Sequence, residues 1–336
     1  MKKQISSFDL IKLIGSLMIF LMHINAFADY GKLALVFELL SRWVVPFFFI
    51  SSAYFLFSKS KDGNIDRKTL EIYVKRISLL YLLWAIYNLP NIYATRFYGE
   101  DLNSVDDWIR RILTFLLSST FTGSWYLLSS IFSGWFIYSL SKKMDSKKII
   151  LLTSGFLIIS VLTSVYKGLL PKTVSTILCS YGKFPFNIFT GTFYFAVGKY
   201  IYEKETELKE KYKDSTLWLV MVAFYLLYFI EIYIAKKYQY YIYSDQSLLL
   251  VPIAISIVML CLKSDAVIEN AAIYRKASTI IYCAHPNVIL VCWLLGEFGV
   301  PSSVAALIGL IILLIIVNIV LRLQKNNNIK WAKYLS

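Results

Sequence analysis

Ten apolar stretches, each roughly 20 residues long, recur along the chain and constrain its fold more than any other feature. About 20 residues of helix rise about 30 Å, the thickness of a bilayer's hydrocarbon core. The stretches lie at 8–28, 34–57, 74–94, 124–141, 148–167, 184–203, 214–235, 246–262, 276–296 and 301–323. Lipid offers no partner to backbone N–H and C=O groups, so a spanning segment satisfies its own as a helix. The expected fold class is all-α: a polytopic membrane helix bundle of about ten transmembrane helices, filling residues 1–336 as one domain. Hydrophobic residues make up 58% of the chain and charged ones 17%, against about 45–50% and about 25% in soluble domains. That balance excludes disordered, collagenous, coiled-coil and disulfide-stapled classes. The net charge of +14 is accordingly no sign of a nucleic-acid partner.

The charge follows the loops. Counted in alternate loops, Lys and Arg number 23 on one side and 9 on the other. Cytoplasmic loops accumulate these residues, so both termini are expected in the cytoplasm of a multi-pass cell-membrane protein. The segment 108–121 is amphipathic and reads as an interfacial helix. Lys2, Lys3, the apolar run 13–22 and Ala26-Phe27-Ala28 resemble a signal peptide. Asp9 and Lys12 interrupt that pattern, and the first span is expected to be retained. Cys179, Cys261, Cys283 and Cys292 have no C-x-x-C spacing and read as packing residues. With two histidines in the chain, no metal site is expected.

Charges inside spans are costly and usually face protein or a wet cavity. Lys12 and His23 are eleven residues apart, and eleven steps of about 100° return to within about 20° of one direction. Asp9 shares that stripe. A snorkelling lysine and a packing histidine would satisfy the pattern, as would a catalytic pair. Glu38 and Arg42, at i and i+4, suit a structural ion pair or the wall of a polar cavity. The aromatic run after Arg42 contains Pro46 and ends in Ser51 and Ser52. His285 precedes Pro286, which removes a backbone donor. The histidine either caps the carbonyls so freed or belongs to a polar site built at a broken helix. Glu231 and Lys199 are expected at solvated span ends. The loop from Lys59 to Arg76 reads as an anchor to anionic lipids or, through Lys75 and Arg76, as a cationic mouth for a phosphorylated donor.

Taken in order, these residues resemble a family. FDLIKLIGSLMIFLMH is similar to the opening helix of integral-membrane acyltransferases of family three, where a basic residue, usually arginine, stands eleven before a histidine. Here these are Lys12 and His23. RWVVPFFFISSAYFLF resembles the family's aromatic run, with Ser52 at a usual glycine. YVKRISLLYLLW, Gly123-Ser124-Trp125-Tyr126, FNIFTGTFYFAVGKYI and STIIYCAHP resemble its later segments in the same order. The same architecture forms the membrane half of serine racemases associated with vancomycin resistance, regarded as an amino-acid uptake module.

The resemblance implies transfer of an acyl group, acetyl above all, from acetyl-CoA as co-substrate to a hydroxyl or amine of a cell-envelope glycan or lipid-linked precursor. No bound cofactor is expected. Such a reaction needs a base and a positive group for the developing oxyanion. His23 is the expected base or transient acyl carrier, with Lys12 as its electrostatic partner. Arg42, Glu38 and His285 are expected to bind substrate, and Lys75 and Arg76 to guide the anionic donor. The alternatives are a carrier for a small amino acid such as serine, and a non-catalytic assembly or sensing protein.

Overall fold

The computed structural model describes residues 5–60, 62–97, 104–117, 119–174, 186–238, 246–326 and 329–336. Among them it is helical throughout, with no strand: α1 Ser6–His23, α2 Lys32–Ser41, α3 Val44–Phe57, α4 Arg67–Tyr87, α5 Leu89–Arg96, α6 Val105–Leu117 and α7 Trp125–Ser141. There follow α8 Ser146–Leu162, α9 Phe186–Glu203, α10 Glu205–Lys211, α11 Asp214–Lys237, α12 Leu250–Lys263, α13 Ala271–Glu297 and α14 Ser302–Lys325. Lys330–Leu335 closes the chain as a 3-10 segment. Among the described residues, five stretches are long and apolar enough to cross a membrane: α1, Lys32–Phe57, α11, α13 and α14. The α4–α5 pair adds a sixth if its bend is allowed. Cys179 lies outside the described residues.

Local chemistry sets the ends of several helices. Asp66 caps α4, accepting from Thr69 N at 2.8 Å, and Asp145 caps α8, accepting from Lys148 N at 3.0 Å. Those bonds hold both exposed carboxyls below their usual pKa, Thr69 acting on the first and Lys148 on the second.

Two expected spans are broken. The stretch 74–94 bends by 72° between α4 and α5, where Pro90 sits in the first turn of the new helix and restarts it. The stretch 34–57 divides between α2 and α3 at Arg42 and Trp43, upstream of Pro46, which lies in the first turn of α3. Proline is tolerated there because first-turn N–H groups have no helical partner.

α1 packs along α13, α13 against α14, and α9 against α3, α7 and α8. With lipid tails as apolar as the side chains, close approach rather than water exclusion drives such packing, and small residues permit it. A methyl on Gly309 would lie 2.8 Å from Cys292 Sγ, and one on Gly198 would run into the Ile50 carbonyl.

Lys199 departs from the expectation of a solvated span end. It is 3% exposed, donates to Ser146 Oγ at 3.1 Å and pairs with Glu203 on the next turn. Glu231 is part-buried and accepts from Tyr166 Oη and Ser247 Oγ, tying together three segments.

Candidate active site

α1 carries its charged residues on one stripe, and its two ends meet different surroundings. At the amino-terminal end Asp9 is buried, with Oδ2 3.6 Å from Arg275 Nη1 on α13. Lys12 Nζ stands 4.9 Å from the centre of the Phe55 ring, and the Lys12 carbonyl accepts from Ser278 Oγ at 2.8 Å. Arg275 and Arg76 lie close enough to repel Lys12, and Asp9 close enough to offset them. Lys59 joins this group: burial, and then the neighbouring Arg76, pulls its ammonium below the usual pKa. Arg76 itself is exposed and donates to the Ser336 carbonyl at 3.1 Å. Lys75, its neighbour, is exposed.

His23, the last residue of α1, stands at the opposite end. The chain leaves the helix through Asn25 in the left-handed region (φ 51°) and returns as α2. The turn borders a half-open cavity of about 230 Å³ whose lining includes His23, Asn25, Phe27, Glu38 and Arg42. Arg42 Nη2 donates to Glu38 Oε1 at 2.6 Å. Both side chains stay partly exposed, at 20% and 30%, so the pair is structural and also forms part of the cavity wall.

His285 stacks on His23 at a ring-centroid distance of 5.4 Å and an interplanar angle of 18°. Its position follows from Pro286. A proline has no N–H, so the carbonyl four residues earlier, that of Tyr282, loses its helical donor. His285 Nδ1 lies 2.6 Å from that oxygen. A carbonyl only accepts, so Nδ1 carries the proton and Nε2 the lone pair. Asn88, in the α4–α5 bend, donates to the Cys283 carbonyl at 2.9 Å, and Asn91 to the Pro286 carbonyl at 3.1 Å. Thr122 N donates to Asn91 Oδ1 at 3.1 Å, which places the next residue, Gly123 (φ 79°), beside His285.

An aromatic wall continues from the histidines. Tyr282 Oη donates to the Gly123 carbonyl, and its ring lies 5.6 Å from Tyr126 and 5.9 Å from Phe48. Tyr126 Oη and Ser52 Oγ are hydrogen-bonded at 2.6 Å.

Of the residues singled out in the sequence, His23, Glu38, Arg42 and His285 are therefore brought together. Lys12 shares the stripe of His23 but lies at the other end of α1, about 16 Å along the axis, grouped with Arg76 rather than with the cavity. Sequence reasoning missed Asn88 and Asn91, both 0% exposed, although two amides flanking Leu89-Pro90 in an apolar run signal backbone repair. It also missed Arg275 as a companion of Lys12.

The comparisons with known proteins fit this arrangement. A family model described as "Acyltransferase domain" matches residues 5–323. An amino-acid racemase of Enterococcus faecalis is 26% identical over 219 residues, covering 61% of this chain and 29% of the racemase. This chain thus spans less than a third of that relative's length. No solved structure matches. The resemblance carried by Lys12, His23 and the later motifs thus holds over nearly the whole chain, which belongs to acyltransferase family three.

Proposed function

We propose that the protein is a membrane acyltransferase that moves an acyl group, acetyl above all, from acetyl-CoA to a hydroxyl or amine of a cell-envelope glycan or lipid-linked precursor. The observation that carries this reading is the cavity shared by His23, Glu38 and Arg42, with His285 stacked on His23. His23 is the base or transient acyl carrier. Arg42 supplies positive charge where an oxyanion develops, and Glu38 holds the guanidinium in place. The cavity volume of about 230 Å³ is below the roughly 300–1,000 Å³ of pockets for drug-sized ligands. It suits the reacting end of an acceptor and is too small for a coenzyme.

The donor belongs at the other end of α1. Lys12, Lys59, Lys75, Arg76 and Arg275 supply cations suited to the phosphates of CoA. In this reading about ten segments cross a bacterial cytoplasmic membrane, both termini are cytoplasmic, and the basic end faces the cytoplasm. The thioester, on the pantetheine arm of CoA, then reaches along α1 towards a cavity on the outer side while the phosphates stay at the basic end.

The resemblance to the membrane half of serine racemases, in line with the amino-acid racemase relative, suggests a second reading, a carrier for a small amino acid such as serine. Arg42 and Glu38 would then meet its carboxylate and ammonium. Purified protein in proteoliposomes separates the two. Transfer of radiolabel from acetyl-CoA to an envelope-glycan extract supports the enzyme, whereas uptake of labelled serine without any CoA compound overturns it in favour of the carrier.

A further inference from the structure

His285 carries more than its structural task requires. Its Nδ1 replaces the helical bond that Pro286 removes, and that accounts for one nitrogen. Nε2 is left holding a lone pair, is wholly buried, and has no hydrogen-bond partner among the described residues. A buried polar atom in this condition calls for a use. Capping and stacking account for the ring and for Nδ1, and neither of them uses Nε2.

Beside Nε2 there is room for about one methyl- or hydroxyl-sized group. Gly123 lies against the imidazole edge: a methyl on it would sit 3.5 Å from Cε1, 3.7 Å from Nε2 and 3.7 Å from Tyr282 Oη. Gly123 stands in the left-handed region at φ 79°, which strongly favours a residue with no side chain. The near-parallel stack also bears on the chemistry. Imidazole lone pairs lie in the ring plane, so stacked rings do not pass a proton directly between them. The two rings instead offer nitrogens to two separate atoms.

We propose that His285 is a second catalytic residue, with Nε2 as the proton acceptor for the substrate hydroxyl, which leaves His23 to bind or carry the acyl group. The proposal rests on the acyltransferase reading above. In the transfer step the acceptor O–H bond breaks and its proton goes to Nε2. The acceptor oxygen forms a bond to the acyl carbon as the thioester C–S bond breaks. The proton then passes from Nε2 to the departing CoA thiolate, and neutral imidazole is restored. If the acyl group first rests on His23, the thiolate has already left with the proton of His23; the bond then broken is C–N, and the acceptor's proton, taken up at Nε2, returns through a water to the departing His23 nitrogen, so that both imidazoles end neutral.

The test uses the purified full chain in nanodiscs with radiolabelled acetyl-CoA and an envelope-glycan extract. His285→Phe keeps a ring and removes both nitrogens, the Nδ1 cap included; His285→Asn keeps an amide N–H near the place of Nδ1 and removes Nε2. Both are expected to lower kcat by about 100-fold or more, the usual contribution of a general base, with KM for acetyl-CoA unchanged. A His285→Phe rate within about threefold of wild type, on the same scale, assigns the residue to stacking and overturns the proposal. If wild type transfers no label, the acyltransferase reading itself has failed.

A second measurement needs no His285 variant to fold. The chain has two histidines, so nitrogen NMR of His23→Gln protein labelled at histidine reports His285 alone. The expected signal is a protonated Nδ1 and a bare Nε2 that shifts when the glycan extract is added. A protonated Nε2, or no response to the extract, contradicts the assignment.

Discussion

The two ends of α1 set out a contrast within one helix. Near Lys12 the basic side chains outnumber Asp9, and Arg76 and Lys75 reach an exposed surface. Around His23 the charges are balanced between Glu38 and Arg42, the rings are stacked, and a small half-open cavity lies beside them. A region of unbalanced positive charge attracts a polyanion but fixes no single geometry. A paired, hydrogen-bonded region holds fixed dipoles for a transition state. The difference separates holding the donor from performing the transfer, and mutants at the two ends should fail in different ways.

The largest difference is expected from Arg42→Ala. It removes the cation from the cavity and leaves Glu38 uncompensated, and kcat should fall about 100-fold with the acetyl-CoA KM little changed. Lys12→Met should act in the opposite sense, raising the acetyl-CoA KM about tenfold, or about 1.4 kcal/mol, with kcat nearly retained. Lys12→Arg should recover most of that loss. Steady-state kinetics on both variants sharpens the contrast, and a pure kcat defect in Lys12→Met would break it by placing Lys12 in the chemistry. Arg76→Ala, at an exposed position, should raise the same KM by only about two- to fivefold, an effect that added salt diminishes.

The smallest effect is expected away from both ends. Asp66→Ala removes the cap of α4 and should slightly lower the thermal midpoint while leaving both kinetic constants alone. Because the folded Asp66 carboxyl is held below its usual pKa by Thr69, its contribution is present above the ordinary carboxylate range. It is lost as pH falls through the folded value. A thermal-midpoint difference between wild type and variant that persists at low pH would contradict this.

Much of the helical framework could be read from hydrophobic runs, because a bilayer demands long apolar helices and tolerates little else. The breaks could not. Residues 74–94 read as one span since Leu89 and Pro90 sit in a run whose apolar residues outweigh Asn88 and Asn91, yet the chain turns there by 72°. The turn is stable because Asn88 and Asn91 bond carbonyls of α13, nearly 200 positions away. Lys199 was likewise misjudged from its place in the sequence, because Ser146, which shelters it, comes from another helix. At the candidate site, helical periodicity correctly paired Glu38 with Arg42 and left the two readings of His285 open. The structure adopts the capping reading at Nδ1 and leaves Nε2 available. The stacking of His23 on His285 was beyond any local pattern, since it arises from the packing of α1 along α13.

The most direct measurement compares wild type with His23→Ala in the same membrane preparation, following acetyl-CoA-dependent labelling of an envelope-glycan extract. The variant should be present in the membrane, folded, and reduced in transfer by about 100- to 10,000-fold. Transfer at the wild-type rate would show that the cavity at the end of α1 is not where the chemistry occurs.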